Sequence, residues 1–240
     1  LNISPDHLDH HGSMDQYIAA KEHIFDRMQP DDTAIIGVDD AQSRAIQASL
    51  GACRRMQVVP ISAVSELPEG VSVRAGVLHC NAWGTVQQGT MGQVKSLQGD
   101  HNGQNAAAAY AACRAQGCRH EIIMAAIQTY PGLAHRMEWL GQVEGVQFVN
   151  DSKATNADAA EKALKTYRDI YWIIGGVAKE GGIAPLAPYF PKIRRAYTLG
   201  EAATLFEETL RGHVEAVSCG TLEKAFAAAA ADATREGVKG

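Results

Sequence analysis

The feature that most constrains this chain is a rhythm in its second half. Three short apolar runs, VQFVN (146–150), IYWIIGG (170–176) and RAYTLG (195–200), each end in polar or glycine-rich residues, and helical patterns follow at about 156–166, 201–211 and 221–236. Repeated strand–loop–helix units predict a parallel sheet with helices on its faces, because parallel neighbours need a crossover connection. The expected fold class is therefore α/β. In such sheets ligands gather at the carboxyl ends of the strands. Two polar segments fall there, NDSKATN (150–156) and GGVAKEGG (175–182). Within the first, Asn156 or Thr155 also suits the cap of the helix that follows.

The first half reads differently. TAIIGVDD (33–40), then AQSRAIQASLG closing at Gly51, then QVVPIS (57–62) make a strand–helix–strand unit of Rossmann character. Residues 71–97 alternate Val and Leu with polar positions and are broken by glycines at 76, 84, 89 and 92, which predicts short antiparallel strands. A helix is expected over 102–117, with Asn102 as N-cap and Gly117 as C′. A second helix, about 120–129, stops before YPG at 130–132, where we place the boundary between a domain 1–132 and a domain 133–240.

Composition excludes several function classes. The net charge is −5 with no block of Lys or Arg, so nothing suggests a nucleic-acid surface. No apolar stretch approaches the roughly 20 residues of a membrane-spanning helix, so membrane insertion is not expected. Five cysteines, an odd number with no CxxC pair, fit a reducing cytoplasm better than a disulfide framework. The start at LNIS and the stop at REGVKG read as cuts from something longer.

Three constellations carry chemistry. In SPDHLDHHGSMDQYIAAKEHIF (4–25), Ser13 and Gln16 form a capping-box pattern for a helix running to about Met28. Helical spacing sets Lys21 in the gap of its apolar stripe, Met14, Tyr17, Ile18, Ile24, Phe25 and Met28, on the inward face. Such a lysine either snorkels to solvent or is held for a purpose. Desolvation favours a neutral amine, which can add CO2 to become a carbamate, an anion suited to Mg2+. DHLDHH (6–11) places His7 and His11 four apart, but Pro5 and the cap at Ser13 assign it to a loop. Zinc binding by that cluster is the alternative.

GDHNGQN (99–105) stands at a helix start. There Asn102 is explained by capping, while Asn105 is a surplus amide able to meet an adenine edge. Finally, Arg136, Lys153 and Lys179 fall near strand ends or the domain junction, a fork and two point charges suited to an anion.

Taken in order, NISPDHLDHHGSMDQYIAAK, HNGQNAAAAYAA, GLAHRMEW, NDSKATN and IIGGVAKEGG resemble the ATP-dependent Mur ligases of peptidoglycan synthesis, NDSKATN being similar to the D-glutamate-adding branch. The resemblance implies the C-terminal part of a central ATP-binding domain, then a Rossmann-like C-terminal domain. It implies an amide ligase that phosphorylates a carboxylate of UDP-N-acetylmuramoyl-L-alanine with ATP, after which the amine of D-glutamate attacks the acyl phosphate and phosphate is released.

By resemblance, His7 is a Mg2+ ligand and Lys21 a carbamylated lysine supporting the metal, while Asn102 and Asn105 lie on the adenine side. Arg136 and Lys153 reach phosphate, Asp151 the ribose, and Lys153, Thr155 and Lys179 the incoming D-glutamate. The partners implied are small molecules, and the protein is expected to be a cytoplasmic monomer. The family's phosphate loop, its first domain and its extreme C-terminus find no counterpart in these residues, so no ligase turnover is expected from this segment alone.

Three other readings compete. Another Mur-type amino-acid ligase would share most of the motifs. A non-catalytic nucleotide-binding module would show GxGxxG after a strand, and none of the strand ends has it. A metal hydrolase built on DHLDHH would hold zinc tightly.

Overall fold

The structure is a computed structural model and describes residues 1–5, 8–53, 56–92, 94–179 and 181–237. The chain divides into two compact units, Leu1–Tyr130 and Pro131–Gly240.

In the first unit a helical turn, α1 (Leu8–His11), precedes α2 (Met14–Glu22). Ser13 caps α2 as expected, its Oγ accepting the Gln16 N–H at 3.2 Å. The helix stops at Glu22, and residues His23–Phe25 tighten into a 3-10 turn. Strand β1 (Thr33–Gly37), helix α3 (Ala41–Cys53) and strand β2 (Gln57–Ser62) form the expected crossover, with β1 and β2 parallel. Gly51 does not close α3: nothing lies within 4 Å of where its Cβ would be, and the helix runs on to Cys53.

Strands β3 (Gly70–Arg74), β4 (Val77–Ala82) and β5 (Thr85–Thr90) complete a five-stranded sheet in sequence order. β3 joins β2 in parallel over two residue pairs, and the last two junctions are antiparallel. At that parallel junction Gly70 is required: its φ is 122° and a Cβ would sit 2.2 Å from the Pro60 carbonyl oxygen.

Alternation along β1 divides the helices between the two faces. Ala34 and Ile36 pack with Ile46, Ile18 and Phe25 of the α2–α3 layer. On the other face Val59, Ile61, Val71, Val73 and Leu78 pack against Ala106, Ala107, Tyr110 and Ala111 of α4 (Asp100–Ala115) and Ile123 and Met124 of α5 (His120–Gln128). The small residues of α4 let it approach the sheet closely. Its end is a Schellman motif, with Cys118 N–H on Cys113 O at 3.0 Å, Gly117 N–H on Arg114 O at 2.9 Å and Gly117 at φ 82°. The C′ glycine is where the sequence put it.

In the second unit, β6 (Glu138–Val143) and β7 (Val146–Asn150) form an antiparallel hairpin. The VQFVN run therefore pairs with an arm that the sequence rhythm did not reveal. The regular β/α part follows: α6 (Ala157–Thr166), β8 (Ile170–Gly175), β9 (Ile193–Leu199), α7 (Ala203–Leu210), β10 (Ala216–Gly220) and α8 (Leu222–Arg235). The sheet order is β10–β9–β8, all parallel.

Strand alternation again sorts the layers. Trp172, Ile174 and Ala196 meet Leu164, Phe206 and Leu210, whereas Tyr171, Ile173 and Tyr197 meet Ala225 and Ala229 of α8. Helices thus cover both faces, which a parallel sheet needs. Among the described residues, no helix is long and apolar enough to cross a membrane.

Candidate functional site

In the first unit the predicted site residues that the structure describes, Lys21, Asn102 and Asn105, stand on two helices on opposite faces of the sheet. Lys21 is not inward-facing as the spacing predicted. It is exposed, with Nζ 5.1 Å from the centroid of the Tyr17 ring, and Ile24 beyond it is 73% exposed. The 3-10 turn after Glu22 advances about 120° per residue rather than 100°, so the stripe breaks just beyond Lys21 and Ile24 turns outward. The structure therefore does not bury this amine. Its exposure leaves Nζ open to CO2, and a carbamate there would be a hard oxygen donor of the kind Mg2+ takes.

His7 lies outside the described residues. His10 and His11 belong to the helical turn α1 rather than to a loop, with ring centroids 5.0 Å apart. No group of three His, Cys, Asp or Glu side chains among the described residues is placed to hold a metal ion. A zinc centre on His10 and His11 thus has no third ligand among them.

Helix α4 starts at Asp100, so Asn102 is inside its first turn and is not the N-cap. That place falls to Gly99, at φ 88° and with no side chain to offer. Asn102 Nδ2 instead donates to the Gln98 carbonyl at 2.9 Å, and Asn105 Nδ2 donates to Asn102 Oδ1 at 3.3 Å. The two amides form one exposed-to-half-buried polar edge at a helix N-terminus. Beneath it lies a junction that sequence reading missed. Asp39, two residues past the end of β1, accepts from Ser62 Oγ at 2.5 Å, the Ala63 N–H at 2.9 Å and Gln104 Nε2 at 2.8 Å. The acids closing TAIIGVDD and the serine ending QVVPIS were the available signal.

In the second unit the β6–β7 hairpin brings four predicted residues together. The Lys153 N–H donates to the His135 carbonyl at 2.9 Å, and Thr155 N–H to Lys153 O at 2.9 Å. Asp151 Oδ1 accepts the Met137 N–H at 2.9 Å. Arg136 therefore stands between two residues tied to the NDSKATN loop. Burial raises the Asp151 carboxyl above the ordinary aspartate value, while the Met137 N–H and the Arg136 charge pull it back down.

The turn bearing Arg136 is held in an unusual backbone, with His135 at φ 65° and Met137 at φ 43°. Side chains missed from sequence brace it. Glu138 Oε2 accepts from the His135 N–H at 2.8 Å and from Asn150 Nδ2 at 3.1 Å, and that same Nδ2 meets His135 Nδ1 at 2.9 Å. Asn150 Oδ1 accepts the Ser152 N–H at 3.1 Å, which fixes the amide's orientation. Only hairpin pairing, Glu138 opposite Asn150, makes this legible.

Lys179 sits apart, on the loop after β8. There the β8 and β9 ends approach so closely that a Cβ on Gly200 would lie 3.0 Å from the Gly176 nitrogen. Exposed Arg136 and Lys153 beside a carboxylate acceptor suit an anion carried next to hydroxyl groups, such as a phosphate attached to a sugar.

These features define an α/β chain of two units with polar and charged residues gathered at strand and helix ends, and the comparisons give its family. Residues 1–113 match the Mur ligase middle domain and residues 135–238 the Mur ligase glutamate ligase domain. The chain belongs to the Mur ligase family. It is 53% identical over 239 residues to a UDP-N-acetylmuramoylalanine–D-glutamate ligase of Caulobacter vibrioides, covering 99% of this chain and 50% of that protein. A ligase of the same name from Paramagnetospirillum magneticum is 50% identical, with 100% and 52% covered. The chain thus spans about half the length of the curated relatives it matches.

Among solved structures, MurF from Acinetobacter baumannii superposes with a TM-score of 0.71 at 17% identity, over 98% of this chain and 52% of that one. The UDP-N-acetylmuramate–alanine ligase MurC of Thermotoga maritima gives 0.63 at 16%, over 92% and 50%. At these identities the likeness is one of fold, and it agrees with the α/β class read from the sequence.

Proposed function

We propose that this chain supplies the nucleotide- and amino-acid-handling half of a cytoplasmic, monomeric ligase that joins D-glutamate to UDP-N-acetylmuramoyl-L-alanine at the expense of ATP. The observation that carries this reading is the 53% identity over 99% of the chain to a relative of that name.

A carboxylate and an ammonium group do not condense in neutral water, so the carboxylate must first be activated. The substrate carboxylate oxygen takes the γ-phosphoryl group, ADP leaves, and the free amine of D-glutamate attacks the acyl phosphate carbon and expels phosphate. Arg136 and Lys153 neutralise charge on the phosphoryl oxygens during transfer. Asp151 accepts from the ribose hydroxyls, Asn102 and Asn105 meet the adenine edge, and Thr155, Lys153 and Lys179 receive the D-glutamate carboxylates. Mg2+ would be held by His7 and a carbamate on Lys21, and would there supply positive charge against the phosphoryl oxygens.

The test uses the full-length protein. ADP release should require UDP-N-acetylmuramoyl-L-alanine and D-glutamate, and other amino acids should not replace D-glutamate. Lys153→Ala should lower kcat/KM about a hundredfold or more, and Lys21→Ala should lose most activity and regain part of it with CO2 and a short carboxylic acid. Turnover with a different amino acid points to another Mur-type ligase. Nucleotide binding without turnover points to a non-catalytic module, and full activity of Lys21→Ala removes the metal-support role.

A further inference from the structure

The Asp39 junction has no part in the chemistry above, yet its hydrogen bonding is fully determined. Ser62 Oγ accepts the N–H groups of Val64 at 3.1 Å and Ser65 at 2.8 Å, which uses both lone pairs of that hydroxyl. Its single hydrogen must therefore go to Asp39 Oδ1, at 2.5 Å. With Ala63 N–H and Gln104 Nε2 both on Oδ2, three donors converge on one side chain. Only a pure acceptor fits there, since an amide at position 39 would turn an N–H toward another donor. Ser62 is fully buried and Gln104 only 3% exposed, so a donor that loses its bond to Asp39 is left in a largely dry place.

What this junction controls is the start of α4. That helix begins without a side-chain cap, so nothing at Gly99 fixes its rotation. Beyond the packing of Ala106, Ala107 and Tyr110 farther along the helix, two contacts hold its first turns. Gly103 lies so near the sheet that a Cβ would be 3.1 Å from Val73 Cγ1, which sets the distance. One residue on, Gln104 is tied to Asp39, which sets the angle. At 100° per residue, the next position, Asn105, is turned outward, where it is exposed and bonds Asn102 three residues back.

We infer that Asp39 is a positioning residue for the adenine nucleotide: through Gln104 it fixes the rotation of the first turns of α4 and so the direction of the Asn102 and Asn105 amides. The inference rests on the reading that those two amides meet the adenine edge. It assigns no contact with ligand to Asp39 or Gln104 themselves.

The experiment measures ADP affinity by titration calorimetry on the full-length protein, together with KM for ATP and for D-glutamate. Gln104→Met keeps the side-chain length and removes the donor while leaving Asp39 bound to Ser62 and Ala63. ADP affinity should fall about tenfold, KM for ATP should rise in step, and KM for D-glutamate should not change. Gln104→Lys, which returns an N–H donor opposite the carboxylate, should recover most of the loss. A lower melting temperature with unchanged ADP affinity in Gln104→Met means a purely structural junction and overturns the inference, as does a loss that Gln104→Lys leaves uncorrected. Asn105→Ala separates the two levels. Unchanged ADP affinity in that variant overturns the adenine reading and the positioning role with it. A loss in Asn105→Ala without one in Gln104→Met overturns the positioning role alone.

Discussion

Asp151 carries its negative charge in a place that disfavours it. Burial raises its carboxyl above the ordinary aspartate value, and the Met137 N–H and Arg136 offset this only in part. A raised carboxyl means that the folded chain holds its proton to higher pH than the unfolded chain does. Stability then falls as pH rises from the ordinary aspartate value through the raised one, and the loss persists above it. Asp151→Asn removes the charge and keeps an oxygen for the Met137 N–H. At pH 7 the variant should melt at a higher temperature than the native protein, and the gap should narrow as pH falls toward the ordinary aspartate range. Melts from pH 4 to 8 check this, and an equal or lower melting temperature at pH 7 would sink it. Nucleotide affinity should fall in the same variant, the pattern of a charge kept for function at a cost in stability. The sequence showed where Asp151 sits but not its burial, which depends on the hairpin folding Met137 over it. Lys21 shows the reverse failure. Its spacing was read through a helix continuing to Met28, but the helix ends one residue after it and the 3-10 turn that follows breaks the apolar stripe expected to enclose it.

Helix α6 shows how one segment can both cap an element and bear function. Asn156, with extended backbone, accepts the Ala159 N–H on Oδ1 at 2.8 Å, so the cap lies at the last residue of NDSKATN and leaves Asp151, Lys153 and Thr155 available. Asn156→Ala should cost about 1 kcal/mol, read as a lower urea midpoint with an unchanged slope. Asn156→Asp should keep the stability, because a carboxylate accepts the same bond and suits the helix N-terminus. If Asn156→Ala leaves the midpoint where it was, the cap contributes nothing. Elements were legible where local chemistry alone decides them, as at the Ser13 cap and the Gly117 Schellman end. They were misread where a neighbour decides. Asn102 looked like a cap, but the chain entered the helix three residues earlier, at Gly99. VQFVN looked like a member of the parallel series, but its partner EWLGQV is largely exposed and is bulged between Trp139 and Gly141, which erases the alternation that announces a strand.

At the scale of the molecule, the parallel pairing of β8 with β9 followed from run lengths and spacing, because buried parallel strands advertise themselves as apolar runs. Strand β10, AVSCG, went unread because it is short and carries polar and glycine residues. Bracing groups such as Glu138 and Asn150 went unread too, since polar side chains near a turn look alike until pairing is known. Each unit has its own packed clusters: Ile61, Leu78 and Tyr110 belong to one in the first unit, and Leu164, Phe206 and Leu210 to one in the second. Units with separate cores are expected to open separately. Leu210 is 0% exposed, between the sheet and the helices on that face, and truncating it to alanine removes transfer free energy and leaves a cavity. Leu210→Ala should therefore destabilise the second unit by about 2–5 kcal/mol. Amide hydrogen exchange on the full chain locates the effect. Protection should fall in β8, β9 and α7 and stay at its native level in β3, β4 and α4. Equal loss of protection in both sets would mean that the chain unfolds as one cooperative body, and that the division at Tyr130 describes its contacts without describing its energetics.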